Sequence, residues 1–461
     1  MAMLFAATLF TSGAGGQSAP DPPVVSDAEI RKILIERIDT SHQGVGIVVG
    51  VIEPAGRRVV AYGSVNQGDT RPLNGETVFE IGSATKVFTS LLLADMVRRG
   101  EVALSDPVAK YLPAGVKVPG RGGRVITLQD LATHTSGLPR LPSNLQPEDS
   151  ANPYVDYTSE RLYQFLSSYE LRRDIGSEFE YSNLGAGLLG FALARRAGMS
   201  YEELVRKRIT GPLGMKSTGI TLTPEMKDRL AVGHNPELKA VPNWDFDALA
   251  GCGALRSDAD DLLNFLGANL GYVKSSLAPA MESMRAVRRA TGSPTLGEIG
   301  LGWLIVKPST YEIAWHNGGT GGYRSFIGFV PGTRTGVVVL SNTFTATGVD
   351  DIGMHLLDPH APLMPPPKEH KEIAVDPKLL DAYVGQYQLA PNFVLTVTRD
   401  GDKLFVQATG QPRFQIFPES ALEFFLKVVD AQITFETDSN GRAVSLVLHQ
   451  NGRNMPGKRM E

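Results

Sequence analysis

The sequence predicts an α/β (α+β) chain: an antiparallel sheet flanked by helices, followed by a small all-β domain. Three observations predict it. β-rich runs stand near the start ("GVGIVVGVIEP", "RRVVAYGSV") and return only beyond residue 300 ("LGWLIV", "YEIAWHN", "YRSFIGFVP", "GVVVLSN"). Between them, from about 103 to 300, helical periodicity and Pro/Gly-rich loops dominate, so the sheet draws on both ends of this region around a helical insert. After the Pro- and charge-rich "DPHAPLMPPPKEHKE" the pattern changes to apolar/polar alternation.

The elements follow in order. The chain has 461 residues, 42% hydrophobic and 20% charged, enough for more than one core. Residues 1–26 form a leader: in "MAMLFAATLFTSGAGGQSAP" an apolar run precedes small residues, as in the second half of a secretory signal, with no Lys or Arg ahead of it. This predicts a periplasmic or secreted protein. No apolar run reaches the roughly 18–20 residues of a membrane span. Residues 27–357 form the main domain, opening on the amphipathic helix "DAEIRKILIERIDT". Later, "SDADDLLNFLGANL" has an acidic first turn and Ser257 as its expected cap. Residues 358–375 read as a linker. Residues 376–461 alternate and turn at Asp400–Gly401, Asn440–Gly441 and Asn451–Gly452, which predicts a barrel or strongly curved sheet.

Composition excludes some functions. A formal charge of −4 argues against nucleic acid as the main partner. The single cysteine, Cys252 in "AGCGALRS", permits no intrachain disulfide and reads as a packed small residue. The eight histidines show no H-x-x-H or H-E-x-x-H spacing, so no metal and no cofactor is expected.

Chemistry concentrates in three places. In "FEIGSATKVFTS" Ser83 and Lys86 stand three residues apart, on one helix face. A lysine whose pKa burial lowers can take the serine proton, and the free N–H groups of a helix start suit a developing oxyanion. Alone, the pair reads equally as a cap and a solvated lysine, but it is the single Ser-x-x-Lys of the chain. In "FEYSN" Tyr181 can relay protons beside a lysine, and Asn183 can hold a carbonyl or the lysine; Tyr181 alone reads as a core residue. In "AWHNGGTGG" the set His316, Asn317, Gly318 and Gly319 lies at a strand end, where glycines let a substrate lie close and free an N–H; the plain alternative is a glycine-rich turn. A second His-x-Gly, at His42, precedes Ser83 and lacks the glycine-rich tail.

The order Ser-x-x-Lys, Tyr-x-Asn, His-x-Gly, with "ITLQDLATHTSGLP" and "GPLGMKSTGI" between, resembles the penicillin-recognising serine hydrolases. These are class C β-lactamases, D-Ala-D-Ala carboxypeptidases including AmpH-like members, and family VIII carboxylesterases. The tail resembles their appended lipocalin-like domains. The resemblance implies a β-lactamase/transpeptidase-like fold with an all-α subdomain. It implies Ser83 as the acylated nucleophile, Lys86 and Tyr181 as the proton-handling pair, and Asn183 as a substrate and lysine contact. Backbone N–H groups of Ser83 and Gly319 would form the oxyanion hole, and His316 would bind a substrate carboxylate or tune Tyr181. Class C enzymes usually carry Lys-Thr-Gly where His316-Asn317-Gly318 stands, and a neutral imidazole attracts a carboxylate less than an ammonium does. Peptidase-type action on D-Ala peptides with β-lactam acylation therefore leads; esterase or class C-type β-lactamase action follows. The partner expected is a small molecule or peptide: a D-Ala peptide, a β-lactam or a short-chain ester. An oligomer is compatible with the sequence. A catalytically silent ligand-binding protein is the alternative of another class; the complete set of Ser83, Lys86 and Tyr181 argues against it. The loop 139–157 is expected to lie over the site.

Overall fold

The computed structural model describes residues 25–345, 347–365, 370–390, 393–409, 413–427, 431–450 and 453–460. Residues 1–24 of the expected leader 1–26, the turn at Asn451–Gly452 and the centre of the linker lie outside them. The chain divides into two compact units, Met1–Phe344 with Gly348–Leu363, and Thr345–Thr347 with Met364–Glu461.

The first unit is built on an eight-stranded sheet. Its strands are β1 (Gly46–Glu53), β2 (Gly56–Gly63), β3 (Arg289–Ala290), β4 (Glu298–Ile299), β5 (Leu304–Val306), β6 (Ile313–Gly319), β7 (Arg324–Val330) and β8 (Thr335–Ser341), in the order β2-β1-β8-β7-β6-β5-β4-β3. The sheet is thus assembled from both ends of the unit: β1 pairs with β8 from Ile47↔Ser341 to Ile52↔Gly336. Packing on both faces explains why β1 is buried from Gly46 to Ile52. Ile47, Val49 and Val51 face one core with Ile30, Leu34 and Ile352, whereas Val48 and Ile52 face the other with Leu263 and Leu266.

Helices cover both faces. Helix α1 (Asp27–Ile35) is started by a capping box, Ser26 with Glu29, and packs Ile30 and Leu34 beneath β2. Helices α2 (Thr85–Arg98) and α3 (Asn183–Ala197) belong to the helical region that lines the site, and α4 (Ala259–Asn269) packs on β1 and β8. Helix α5 (Asp350–Leu357) covers β7 and β8 from the other side. The cap of α4 is Asp258, not Ser257: Asp258 accepts the Asp261 N–H at 2.8 Å. Ser257 is committed elsewhere, since its backbone pairs with Phe79 and its hydroxyl meets Thr218 Oγ1 at 2.7 Å. The small residues of α3 also have a purpose. A Cβ at Gly190 would stand 2.8 Å from the Gly251 Cα, so glycine lets the helix touch the backbone of the turn Ala250–Cys252.

The second unit is a closed barrel of eight strands, β9 (Gly385–Ala390), β10 (Phe393–Asp400), β11 (Lys403–Ala408), β12 (Arg413–Pro418), β13 (Glu423–Phe425), β14 (Ala431–Thr437), β15 (Ala443–Gln450) and β16 (Arg453–Arg459), each paired with the next. Closure comes from β9 on β16, at Tyr387↔Arg459. Tyr387, Leu395, Val397, Leu404, Ile433, Phe435 and Leu446 fill it. The Asp-Gly and Asn-Gly signals at 400–401 and 440–441 do make turns, with φ of +61° at Gly401 and +78° at Gly441.

Candidate active site

Ser83 does not cap α2. It sits in a single 3-10 turn, Gly82–Ala84, between the short strand Phe79–Glu80 and the helix, and no side chain caps the helix start. The turn is pressed against β6. Gly82 has φ +49°, and a Cβ there would lie 2.6 Å from the Gly319 N. A Cβ on Gly318 would lie 1.9 Å from the Ile81 carbonyl oxygen, which also accepts the Ser325 hydroxyl at 2.7 Å. Two glycines therefore bring the serine turn against the strand end. Ser83 is half-buried, whereas Gly82, Ala84 and Lys86 around it are buried.

Lys86 lies one turn on, 2% exposed. Its Nζ makes three contacts: Ser83 Oγ at 2.9 Å, Asn183 Oδ1 at 2.9 Å and the Cys252 carbonyl at 2.7 Å. The two carbonyl oxygens can only accept, so they take two of the amine protons. The third direction faces a hydroxyl, which can accept from an ammonium or donate to a neutral amine. That is the geometry of a base poised on a nucleophile. Asn183 is the first residue of α3, whose start is fixed by Ser182 Oγ accepting the Gly185 N–H at 2.8 Å. The other end of its amide donates to the Tyr154 hydroxyl at 3.1 Å, and the Tyr154 ring stacks on Phe246 with centroids 4.6 Å apart.

Tyr181 completes the group. Lys86 Nζ stands 4.8 Å from the centroid of its ring, and the Arg140 guanidinium carbon 5.1 Å. The His134 ring lies 4.6 Å from it and the His316 ring 6.2 Å, centroid to centroid. His134 holds the tyrosine segment in place: its Nδ1 accepts the Ser182 N–H at 3.0 Å, and its carbonyl accepts the Glu180 N–H at 2.9 Å. Burial, and then the Lys86 charge, push His134 well below the usual imidazole range, so it is neutral.

His316 projects from β6 and is 1% exposed. Its Nδ1–H donates to the Asn317 carbonyl at 2.6 Å, which leaves Nε2 as an acceptor; Nε2 is buried and has no hydrogen-bond partner among the described residues. Burial first, and then the Lys86 charge, lower its pKa to about 3. It is not a cation at neutral pH. Asn317, grouped on sequence with the substrate-binding residues, turns its side chain to the opposite face of β6, where Nδ2 donates to Asp350 at the start of α5 at 2.5 Å. Successive strand residues alternate, so His316 and Asn317 cannot both face Lys86.

The structure thus brings Ser83, Lys86, Tyr181, Asn183, His316, Gly318 and Gly319 together and leaves the Asn317 side chain out. Sequence reasoning did not single out His134, Arg140, Tyr154 or the Cys252 carbonyl. Arg140 and Tyr154 lie in the stretch 139–157 and His134 in "LATHTSGLP", read only as segments. The Cys252 thiol is packed, and burial pushes its pKa up; the atom that meets Lys86 is its backbone oxygen.

Residues 32–357 match the family described as Beta-lactamase. The chain belongs to the beta-lactamase family. It is a serine hydrolase of that family, as the order of its motifs led one to expect, and residues 369–459 match a domain of unknown function, DUF3471. It is 33% identical over 354 residues to the D-alanyl-D-alanine-carboxypeptidase/endopeptidase AmpH of Escherichia coli, covering 74% of this chain and 89% of that one. It is 26% identical to penicillin-binding protein 4* of Bacillus subtilis, over 91% of this chain and 96% of that one. A solved structure of a beta-lactamase/D-alanine carboxypeptidase from Yersinia pestis, complexed with citrate, superposes with a TM-score of 0.60 at 28% identity, over 69% of this chain and 92% of that one. Among the described residues no helix of this beta-lactamase-family protein is long and apolar enough to cross a membrane.

Proposed function

We propose that the chain is a peptidase-type serine hydrolase that forms an acyl-enzyme on Ser83 with D-alanyl peptides and with β-lactams, working in the periplasm or outside the cell. The observation that carries this reading is the Lys86 amine, whose contacts to Asn183 Oδ1 and Cys252 O leave its third direction on Ser83 Oγ at 2.9 Å. Ser83 Oγ attacks the substrate carbonyl as Lys86 takes its proton. The oxygen that becomes negative lies between the N–H groups of Ser83 and Gly319. The C–N bond then breaks; the proton reaches the leaving nitrogen through Tyr181, which lies beside the ammonium. Water releases the acyl group by the reverse of the same transfers. Asn183 holds Lys86 on one side and is available to the substrate amide. Neutral His316, with Nε2 as an acceptor, serves the proton path around Tyr181 and not the binding of a carboxylate.

Similarity to AmpH and the His-x-Gly motif support peptidase action over rapid β-lactam turnover. The test is intact mass after incubation with a fluorescent penicillin, a chromogenic cephalosporin, p-nitrophenyl esters and an acylated D-Ala-D-Ala peptide, for native protein and Ser83→Ala. A covalent adduct on the native protein alone, lost slowly, together with D-Ala release, is expected. No adduct and no hydrolysis of any of the four would refute the reading; fast cephalosporin turnover would move it to a β-lactamase.

A further inference from the structure

A second cavity, of about 480 Å³, stands among helix Ser159–Ser168, α3, helix Tyr201–Val205 and the segment 246–251. None of Ser83, Lys86, Tyr181, Asn183 and His316 lines it. Its size is that of a small-molecule site, roughly 300–1,000 Å³. Its lining is aromatic and charged. Tyr163 and Phe191 meet edge to face with centroids 5.8 Å apart, and Tyr201 and Phe246 add two more rings. Of its charged groups Glu202 is spent: Oε1 accepts the N–H groups of Ile220 and Thr221, each at 2.7 Å, and Oε2 accepts the Thr221 hydroxyl at 2.8 Å. Arg195 and Asp247 are not. Arg195 gives its Nε–H to the Tyr111 carbonyl at 3.2 Å, and among the described residues its terminal nitrogens make no hydrogen bond and no ion pair. The Asp247 carboxylate, among the described residues, makes none either; partial desolvation first, and then the Glu160 charge, raise its pKa, as expected of a carboxylate without a counter-charge.

The cavity shares two walls with the site. Gly251 lines it, and the carbonyl of the next residue, Cys252, accepts from Lys86 Nζ at 2.7 Å. The Gly251 carbonyl accepts the Thr89 hydroxyl at 2.7 Å, and Thr89 Oγ1 lies 2.6 Å from the hydroxyl of Tyr201, a lining residue. Phe246 also lines it and stacks on Tyr154, whose hydroxyl accepts from Asn183 Nδ2. Cys252 and Asn183 are the two carbonyl groups that aim Lys86 at Ser83. On its α3 side the turn Ala250–Cys252 is tightly packed, since a Cβ on Gly251 would lie 2.9 Å from the Gly190 Cα. On its other side it faces the cavity.

We propose that this cavity is a regulatory site for a small zwitterion with an apolar side chain, a free amino acid or dipeptide, whose binding speeds acylation of Ser83. The ammonium pairs with Asp247, the carboxylate takes the terminal nitrogens of Arg195, and the side chain packs on the rings. A cation alone leaves Arg195 unpaired, and an anion alone leaves Asp247 unpaired. The occupant backs Gly251 and Phe246 on their open side and so steadies both groups that aim Lys86. A coupling of this kind between two sites is worth about 5- to 150-fold. The regulatory role rests on the acyl-enzyme reading above; the binding site does not.

The test titrates phenylalanine, phenethylamine and 3-phenylpropionate into the native full chain by calorimetry. Phenylalanine should bind at least about tenfold more tightly than either analogue, the worth of one charge-assisted pair. Asp247→Asn should weaken phenylalanine and phenethylamine by about tenfold and leave 3-phenylpropionate within about twofold; Arg195→Gln should weaken phenylalanine and 3-phenylpropionate and spare phenethylamine. Binding should persist after benzylpenicillin has acylated Ser83. Penicillin uptake on Ser83, read by intact mass, should quicken at least about fivefold with saturating phenylalanine. No binding at about 10 mM phenylalanine, equal affinity for the three compounds, or binding abolished by acylation would overturn the site. An uptake rate within about twofold of the ligand-free rate would overturn its regulatory role. The ligand comparison needs no variant, so a misfolded one would not shield the proposal. If native Ser83 takes up no penicillin, the acyl-enzyme reading fails and the regulatory role with it, while the titrations still decide for or against the site.

Discussion

The contact between the serine turn and β6 can be tested at Gly318. A Cβ placed there lies 1.9 Å from the Ile81 carbonyl oxygen and 2.5 Å from Ser325 Oγ, both below the 3.0 Å limit that real Cβ contacts observe. Gly318→Ala must therefore move the strand end from the turn by about 1.1 Å, because the nearer neighbour, the Ile81 carbonyl oxygen, is backbone and cannot step aside. Overpacking of this kind costs about 1–3 kcal/mol, and displacement of the Ser325–Ile81 hydrogen bond adds about 1 kcal/mol. At roughly 2 cal/mol/K per residue of unfolding entropy, the melting temperature of the unit should fall by about 3–5 °C. Activity should suffer more than stability. A misplacement of about 1 Å between nucleophile and oxyanion donors costs on the order of 100-fold in rate. The assay pairs calorimetry with the rate of penicillin uptake on Ser83 by intact mass, at a temperature where the variant is folded. Uptake within threefold of native, with an unchanged melting temperature, would refute the argument that glycine at 318 sets the approach of Ser83 to the strand.

Two further predictions concern pH. His316 is held at about 3, so it stays neutral above about pH 5; the pH profile of acylation should show no limb from His316 between pH 5 and 8, and a ring titration in that range, followed by NMR, would count against the buried neutral imidazole. Asp350 is raised by burial from its ordinary 3.8 to about 6, so the folded state binds the extra proton, and stability falls as pH rises from about 4 through 6. At about 1.36 kcal/mol per pH unit its share of the loss is on the order of 3 kcal/mol above pH 6, beside a similar share from Asp261, which burial also raises to about 6; Asp350→Asn should reduce the pH dependence in denaturant titrations at pH 4 and 7 by about that share, and an unchanged dependence would refute it.

How far the molecule was legible differs from part to part, for physical reasons. The sheet was legible because β1 and β8 carry β-branched runs, and the barrel because Gly401 and Gly441 mark hairpins. The set Ser83, Lys86, Tyr181 and His316 was legible by order. What was not legible depended on direction. β6 is buried on both faces, so its pattern does not tell which of His316 and Asn317 looks toward Lys86. Ser257 and Asp258 are both good caps, and pairing with Phe79 decided between them. The Cys252 carbonyl leaves no trace in side-chain chemistry. Arg140 is one basic residue in a loop until the fold lays it over a ring.

Because the sheet of the first unit joins strands from both ends of that unit, the protein also has an order in time. β1 is synthesised early, but its partner β8 begins at Thr335, and His316 follows Ser83 by most of the unit. Until the ribosome has passed Ser341, the apolar strand "GIVVGVIE" has β2 on one edge and nothing on the other. A nascent chain of this kind is slow to settle, since its decisive pairings are the most distant in sequence, and it displays a sticky edge while it waits. Ser83 and Lys86 are neighbours in sequence from the start of synthesis. The strand that walls them in arrives among the last elements of the unit, so an incomplete chain carries Ser83 and Lys86 without their strand-side wall.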